Sequence, residues 1–130
     1  MASAVGAGAE LEDVVELSLK VRKSEGNIVI LDIAGKLSAG EPVSILRNTI
    51  QKSLEEGARK FLINLGDVTY VDSSGLGALI TTFTSVRNRQ GDVKLLHLTK
   101  RIKDLLQITK LLTVFEVFED EPAAVQSFNG

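Results

Sequence analysis

Apolar and polar residues alternate along several stretches of the chain, and these stretches predict β-strands. Residues 16–22 alternate one by one and predict a half-buried strand. Residues 27–33 are mostly β-branched and apolar, and they predict its hairpin partner after a tight turn at 25–27. Shorter apolar runs predict further strands, and stretches that contain glycine and aspartate predict loops. The further strands are residues 60–65, 92–98 and 113–118, and the loops are residues 35–40 and 67–72.

Apolar residues that recur every three or four positions predict helices between these strands. The first helix begins at Glu41-Pro42, where proline is tolerated, and ends at Gly57. Thr99 is the predicted N-cap of the third helix, and residues 121–128 predict a short closing helix. Strands that alternate with helices predict one α/β domain with a parallel or mixed sheet. The apolar stripes are Val43, Leu46, Ile50 and Leu54 in the first helix, Leu76, Leu79, Ile80, Phe83 and Val86 in the second, and Ile102, Leu105, Leu106 and Ile108 in the third.

The composition is that of one soluble globular domain. The chain has 130 residues, of which 44% are hydrophobic and 25% are charged, and its net charge is −2. This charge does not favour nucleic acid, and no apolar run approaches the roughly 20 residues that a membrane-spanning helix needs. Residues 1–13 carry no recognisable targeting signal and predict a flexible tail. We therefore expect a cytoplasmic protein that binds neither nucleic acid nor membrane.

The residue types that most enzyme and metal sites use are scarce. The chain has no cysteine and one histidine, His97, which excludes disulfides, thiolate ligands and a zinc site built from several histidines. His97 lies between two leucines in a predicted strand and is expected to be structural. Val71 stands where a GxSxG motif around Ser73 needs its first glycine, and the sequence has no phosphate-binding P-loop. The sequence therefore predicts no catalytic residue, no metal site and no cofactor.

Basic residues are concentrated in one part of the chain. Residues 87–110 hold seven lysines and arginines against two aspartates, whereas residues 115–130 hold four acids and no base. No aromatic residue interleaves with the bases, so a solvated face is favoured over a dedicated binding patch. A binding site for an acidic partner is the alternative interpretation.

One short motif holds most of the candidate chemistry. Asp72-Ser73-Ser74-Gly75-Leu76-Gly77 follows an apolar strand and opens a helix. The structural interpretation is that a serine caps this helix, while Gly75 and Gly77 let it pack closely on the sheet. The regulatory interpretation is that an exposed serine accepts a phosphate, whose charge the helix dipole favours. The residues by themselves leave both interpretations open.

The motif and the residues before it resemble the signature of STAS domains. The resemblance includes Asn64-Leu65 and Asp67-Val68-Thr69-Tyr70-Val71, and it extends over residues 14–128. It is greatest to the bacterial anti-sigma-factor antagonists. It implies a single STAS-type α/β domain, with a mixed central sheet, an N-terminal hairpin and about four helices.

The resemblance also implies a function. Antagonists of this family are not enzymes and need no cofactor, and the family implies a monomer. The unphosphorylated form binds an anti-sigma factor, a serine kinase with the ATPase fold of histidine kinases, and thereby releases the sigma factor. The kinase phosphorylates the first serine of the motif, here Ser73, and a serine phosphatase removes the phosphate. The implied partner-binding residues are Asp72, Ser73, Ser74, Gly75, Ser38 and Glu41.

One position departs from the family pattern. Many antagonists carry Gly-x-Leu-Asp after the hairpin, whereas Ser38 stands at the aspartate position here, with Glu41 or Asp32 as candidate substitutes. The alternative function is a STAS scaffold or interaction domain in a larger signalling assembly, in which Ser73 only caps the helix. An enzyme or nucleotide-binding protein that uses Asp72 and Ser73 is the least favoured hypothesis, since the sequence contains no phosphate-cradling loop.

Overall fold

Residues 17–129 are described by a computed structural model, and they form a five-stranded sheet with four helices. The predicted tail, residues 1–13, and the first residues of the predicted domain lie outside this range. Between residues 17 and 129, no helix combines the length and the apolar character needed to cross a membrane. The strands are β1 (Leu17–Ser24), β2 (Ile28–Leu37), β3 (Lys60–Val71), β4 (Asp92–Leu96) and β5 (Glu116–Phe118). The helices are α1 (Glu41–Glu55), α2 (Ser73–Asn88), α3 (Lys100–Ile108) and α4 (Glu121–Ser127), and a 3₁₀ turn covers Leu111–Thr113.

The strands lie side by side in the order β1-β2-β3-β4-β5. β1 and β2 form an antiparallel hairpin, and every later pair of neighbours is parallel. Gly26 and Asn27 have positive φ angles in the hairpin turn, a conformation that glycine and asparagine tolerate better than other residues. Parallel neighbours need a crossover connection, and α1, α2 and α3 supply the three crossovers. The predicted mixed sheet with an N-terminal hairpin and four helices is confirmed.

The two faces of the sheet pack against different helices, because successive strand residues point to opposite sides. The main core lies between the sheet and helices α1, α2 and α3. A smaller core lies on the other side, where α4 covers part of the sheet. The residues of β2 show the division: Val29, Leu31 and Ile33 belong to the main core, and Ile28 and Ile30 belong to the smaller one.

β2 and β3 are longer than their apolar runs predict. β2 continues to Leu37 and β3 to Val71, so the loops predicted at residues 35–40 and 67–72 are wrong over much of their length. The two strands stay paired to these ends, although β4 pairs with β3 only as far as Asn64. Glycine and polar residues have a low intrinsic preference for strands, but pairing between β2 and β3 holds them in extended conformation here. The extended pair brings the end of β2 to the start of α2.

Two later strands are shorter than predicted. β4 ends at Leu96, because His97 turns the backbone with a φ of 58°. β5 begins only at Glu116, after a 3₁₀ turn. Thr99 caps α3 as predicted, since its Oγ1 accepts a hydrogen bond from the Ile102 N–H at 3.2 Å.

The basic stretch of residues 87–110 does not form one surface. Lys94 is only 4% exposed and lies on the side of the sheet that α4 covers. Its Nζ donates to Ser127 Oγ at 2.8 Å and lies 4.6 Å from the centre of the Phe128 ring. The lysines and the arginine of α3 are exposed instead. Within this stretch, Lys94 is therefore buried and holds α4, whereas the basic residues of α3 form a solvent-exposed helix face.

Arg22 connects the hairpin to α4. Its Nη2 lies 3.0 Å from Asp32 Oδ1 and 2.9 Å from Glu121 Oε1. The hydrogen bonds from Arg22 lower the pKa of Asp32 and the pKa of Glu121 below their ordinary values of 3.8 and 4.5. Both carboxyl groups are therefore ionised at neutral pH, and Arg22 bridges segments that are 99 residues apart in sequence.

Replacing Arg22 with methionine is expected to lower the free energy of unfolding by about 1 kcal/mol at neutral pH, because two partly exposed ion pairs are lost. The stability that the ion pairs contribute is complete above the ordinary carboxyl pKa values of Asp32 and Glu121. It declines as the pH falls below these ordinary values, and it is lost once the pH has fallen through the lowered pKa values of the folded protein. Urea unfolding of both proteins should therefore differ at neutral pH and agree in strong acid. An equal difference at both pH values would mean that methionine acts through packing instead.

Candidate partner-binding site

Asp72 is the residue that caps α2. Its backbone is extended, and its Oδ1 accepts a hydrogen bond from the Gly75 N–H at 2.7 Å. Aspartate is favoured at this position because its carboxylate satisfies an orphan donor at the positive end of the helix. The prediction that a serine caps this helix is therefore wrong, and Ser73 does not serve as the cap of α2.

Ser73 and Ser74 lie in the first turn of α2, and both are exposed. Ser73 directly follows the cap, at the N-terminus of a 16-residue helix. The first N–H groups of a helix have no partner within it, and they make this end favourable to negative charge. The electrostatics of the helix start are therefore suited to a phosphate on Ser73.

Gly75 is buried where α2 meets the end of β2. A Cβ atom on Gly75 would collide with the carbonyl oxygen of Leu37 and come within 2.9 Å of its carbonyl carbon, so this approach requires glycine. A Cβ atom on Gly77 would meet open space. The predicted close packing is confirmed for Gly75 and wrong for Gly77. Gly75 is buried in the unbound chain, and its predicted contact with a partner stays a prediction.

Residues 38–41 form a second segment beside this helix start. The Ala39 N–H donates to Asp72 Oδ2 at 3.0 Å, although the two residues are 33 positions apart in sequence. Gly40 has a φ of 97° and makes the turn into α1. The structure therefore brings together the two segments that the sequence singled out. Of the predicted partner-binding residues in the second segment, Ser38 is half-buried and Glu41 is exposed.

The carboxylate of Asp72 places a negative charge next to Ser73. Hydrogen bonds from the backbone N–H groups of Gly75 and Ala39 lower the pKa of Asp72 below its ordinary value of 3.8. Asp72 is therefore ionised at neutral pH. A phosphate on Ser73 would add a charge of about −1.5 to −2 beside it, so modification would raise the local negative charge from −1 to about −2.5 to −3.

Asp32 does not belong to this site. It lies on the side of the sheet that α4 covers, because it follows the alternation of Ile28 and Ile30. Its carboxylate accepts hydrogen bonds from Arg22 and, at 2.9 Å, from Asn64 Nδ2. Asp32 is therefore excluded as a substitute for the aspartate of the family pattern. Across residues 17–129, no three histidine, aspartate or glutamate side chains gather where they could hold a metal ion.

Comparison with known proteins identifies the family. Residues 19–124 match the model of the STAS domain. The chain is a member of the STAS domain family. The anti-sigma-B factor antagonist of Bacillus subtilis is 31% identical over 112 residues, which cover 86% of this STAS domain protein and 100% of that relative. The anti-sigma-B factor antagonist of Listeria monocytogenes is 27% identical over 103 residues, which cover 79% of this chain and 90% of that relative.

Solved structures share the STAS fold with this chain. An anti-sigma factor antagonist from Mycobacterium paratuberculosis has a TM-score of 0.76 at 14% identity, over 90% of this chain and 97% of that one. The phosphorylated form of SpoIIAA, a Bacillus cell fate determinant, has a TM-score of 0.69 at 19% identity, over 85% of this chain and 98% of that one. At these identities the likeness establishes the fold and does not assign the role of any residue.

Proposed function

We propose that this STAS domain protein is an anti-sigma-factor antagonist. Its unphosphorylated form binds an anti-sigma factor that is also a serine kinase, and this binding releases the sigma factor. Phosphorylation of Ser73 by the kinase ends the binding, and a serine phosphatase restores it. One observation carries most of the proposal: Ser73 is exposed at a helix start that another residue caps. The match to an antagonist, which covers all of that relative and 86% of this chain, supports it.

The position of Ser73 supports a switch that changes charge rather than fold. The helix dipole stabilises a phosphate at the first turn, so the domain is expected to stay folded after modification. The surface beside the Asp72 carboxylate, however, becomes strongly negative. A partner that packs against the unmodified surface must then desolvate this charge, which lowers its affinity.

The exposed side of α2 supports a docking surface that continues from Ser73. The helix carries no charged residue from Ser73 to Val86. Ile80, which lies in this part of the helix, is 36% exposed, and Thr81 and Thr84 are also exposed. The centres of protein interfaces are depleted of charged residues, so this composition favours contact with a partner protein.

Capture from a lysate of the source cells tests the proposed function. The baits are the unmodified protein, Ser73→Ala and Ser74→Ala, each with and without Mg-ATP, and bound proteins are identified by mass spectrometry. Without Mg-ATP, all three baits are expected to capture a kinase-fold anti-sigma factor. With Mg-ATP, only Ser73→Ala is expected to retain it. Phosphate is expected on Ser73 of the unmodified and Ser74→Ala baits, because both keep the target hydroxyl.

Two results would contradict this assignment. Full phosphorylation of the Ser73→Ala bait would place the modification on another residue. Capture of a large signalling assembly that contains no kinase, with no phosphate on any bait, would support the STAS scaffold instead.

A further inference from the structure

We propose that Asp72 is a positioning residue that joins residues 38–41 and the start of α2 into one recognition surface. The identity of the partner rests on the proposed function, whereas the joining is a property of the folded chain alone. Asp72 acts through Ala39 on one side and through the first turn of α2 on the other. It therefore has a role that does not require contact with the partner.

The two oxygens of Asp72 serve two different elements. Oδ1 accepts from the Gly75 N–H at 2.7 Å and caps α2, whereas Oδ2 accepts from the Ala39 N–H at 3.0 Å and holds the turn into α1. A carboxylate offers two acceptor oxygens, so it holds both donors at once. Hydrogen bonds to an ionised acceptor are stronger than those between neutral groups, and the lowered pKa of Asp72 keeps it ionised.

The turn from β2 to α1 begins after Leu37, whose carbonyl oxygen accepts a hydrogen bond from the Asp72 N–H at 3.3 Å. Ala39 and Gly40 are exposed, and a Cβ atom on Gly40 would meet open space. Gly40 also begins α1 without a side-chain cap. The Ala39–Asp72 hydrogen bond is therefore expected to set where Ser38 and Glu41 lie relative to the Ser73 hydroxyl.

A second aspartate cap in the chain provides a matched reference. Asp120 caps α4, and its Oδ2 accepts from the Ala123 N–H at 2.9 Å. This bond stays within the start of α4, so Asp120 performs the capping without joining two distant segments. A substitution at Asp120 therefore measures what capping chemistry alone contributes.

The variant Asp72→Asn separates capping from joining. Asparagine is about as good an N-cap as aspartate, and its single carbonyl oxygen can accept from the Gly75 N–H. Its NH₂ group only donates, so it cannot accept from the Ala39 N–H. The substitution is therefore expected to keep α2 intact and to release residues 38–41.

Amide hydrogen exchange of the isolated protein, measured by NMR, tests the joining. Asp72→Asn is expected to speed exchange of the Ala39 amide about tenfold and to leave the Gly75 amide within about twofold. Asp120→Asn should change neither amide. An unchanged Ala39 amide in Asp72→Asn would overturn the proposal. Equal acceleration of the Gly75 amide would also overturn it, because loss of the cap on α2 would then explain both changes.

Phosphate transfer by the captured kinase tests the consequence for recognition. With Asp72→Asn as substrate, KM is expected to rise about fivefold while kcat stays nearly unchanged, because the Ser73 hydroxyl is intact and only binding is weakened. Asp120→Asn should keep both constants. An unchanged KM would overturn the role in recognition. If the unmodified protein captures no kinase, the proposed function fails, while the exchange experiment still decides whether Asp72 joins the two segments.

Discussion

Replacing Gly75 with alanine is expected to lower the free energy of unfolding by about 3 kcal/mol. The added Cβ would collide with the carbonyl oxygen of Leu37 and lie 2.9 Å from its carbonyl carbon. This obstacle is backbone, which cannot rotate away as the end of a flexible side chain can. α2 must therefore move away from β2, and that movement would also disturb the position of Ser73.

Gly77→Ala is the matched control for this prediction. It adds the same methyl group two positions later in α2, where a Cβ atom would meet open space. Alanine is the better helix former by about 1 kcal/mol, so this variant is expected to be more stable than the unmodified protein. Urea unfolding followed by circular dichroism measures both variants. Equal stability of the two would refute the close approach of α2 to Leu37.

Ser73→Asp is expected to weaken binding of the captured anti-sigma factor at least about tenfold, which corresponds to about 1.4 kcal/mol. The new carboxylate lies on the exposed surface next to the ionised Asp72, and the partner must desolvate it. An acidic residue in the first turn is favourable to the helix, so the loss of binding is not expected to come from unfolding. Ser73→Ala should bind like the unmodified protein, as measured by titration calorimetry.

Gln126→Glu controls for the added charge. Residue 126 is exposed on α4, which covers the opposite side of the sheet from α2. This variant carries the same extra negative charge as Ser73→Asp and is expected to bind like the unmodified protein. If both variants lost binding equally, long-range repulsion would explain the effect and Ser73 would not be the switch. Thermal unfolding of each variant confirms that it is folded before binding is compared.

The order and type of the elements could be predicted because they depend on neighbouring residues. Alternation placed the hairpin, and Thr99 was recognisable as a cap because capping needs only the next three residues. Helical spacing placed most of the residues that face the main core, but Ile80 and Ile108 of the predicted stripes are exposed. The motif at residues 72–77 was local enough to indicate the STAS family, which the family match over residues 19–124 confirmed. Its partner-binding and phosphorylation roles remain predictions.

The details of the candidate site could not be predicted, because they depend on residues far apart in sequence. The sequence drew attention to Asp72 beside Ser73 but did not indicate that its carboxylate also holds Ala39. Ala39 itself was missed, since it contributes a backbone N–H that any residue except proline has. The sequence also could not predict the different surroundings of Gly75 and Gly77, because only the position of Leu37 distinguishes them.

The sequence by itself determined which segments form strands and helices, most of the residues that fill the core, and which family the chain belongs to. Only the tertiary structure decided how far β2 and β3 extend, on which side of the sheet Asp32 lies, and that Asp72 and not a serine caps α2. The physical reason is the range of the interactions. Periodicity acts over a few neighbouring positions, whereas strand ends, close packing and the second hydrogen bond of Asp72 depend on partners that folding brings from more than 30 positions away.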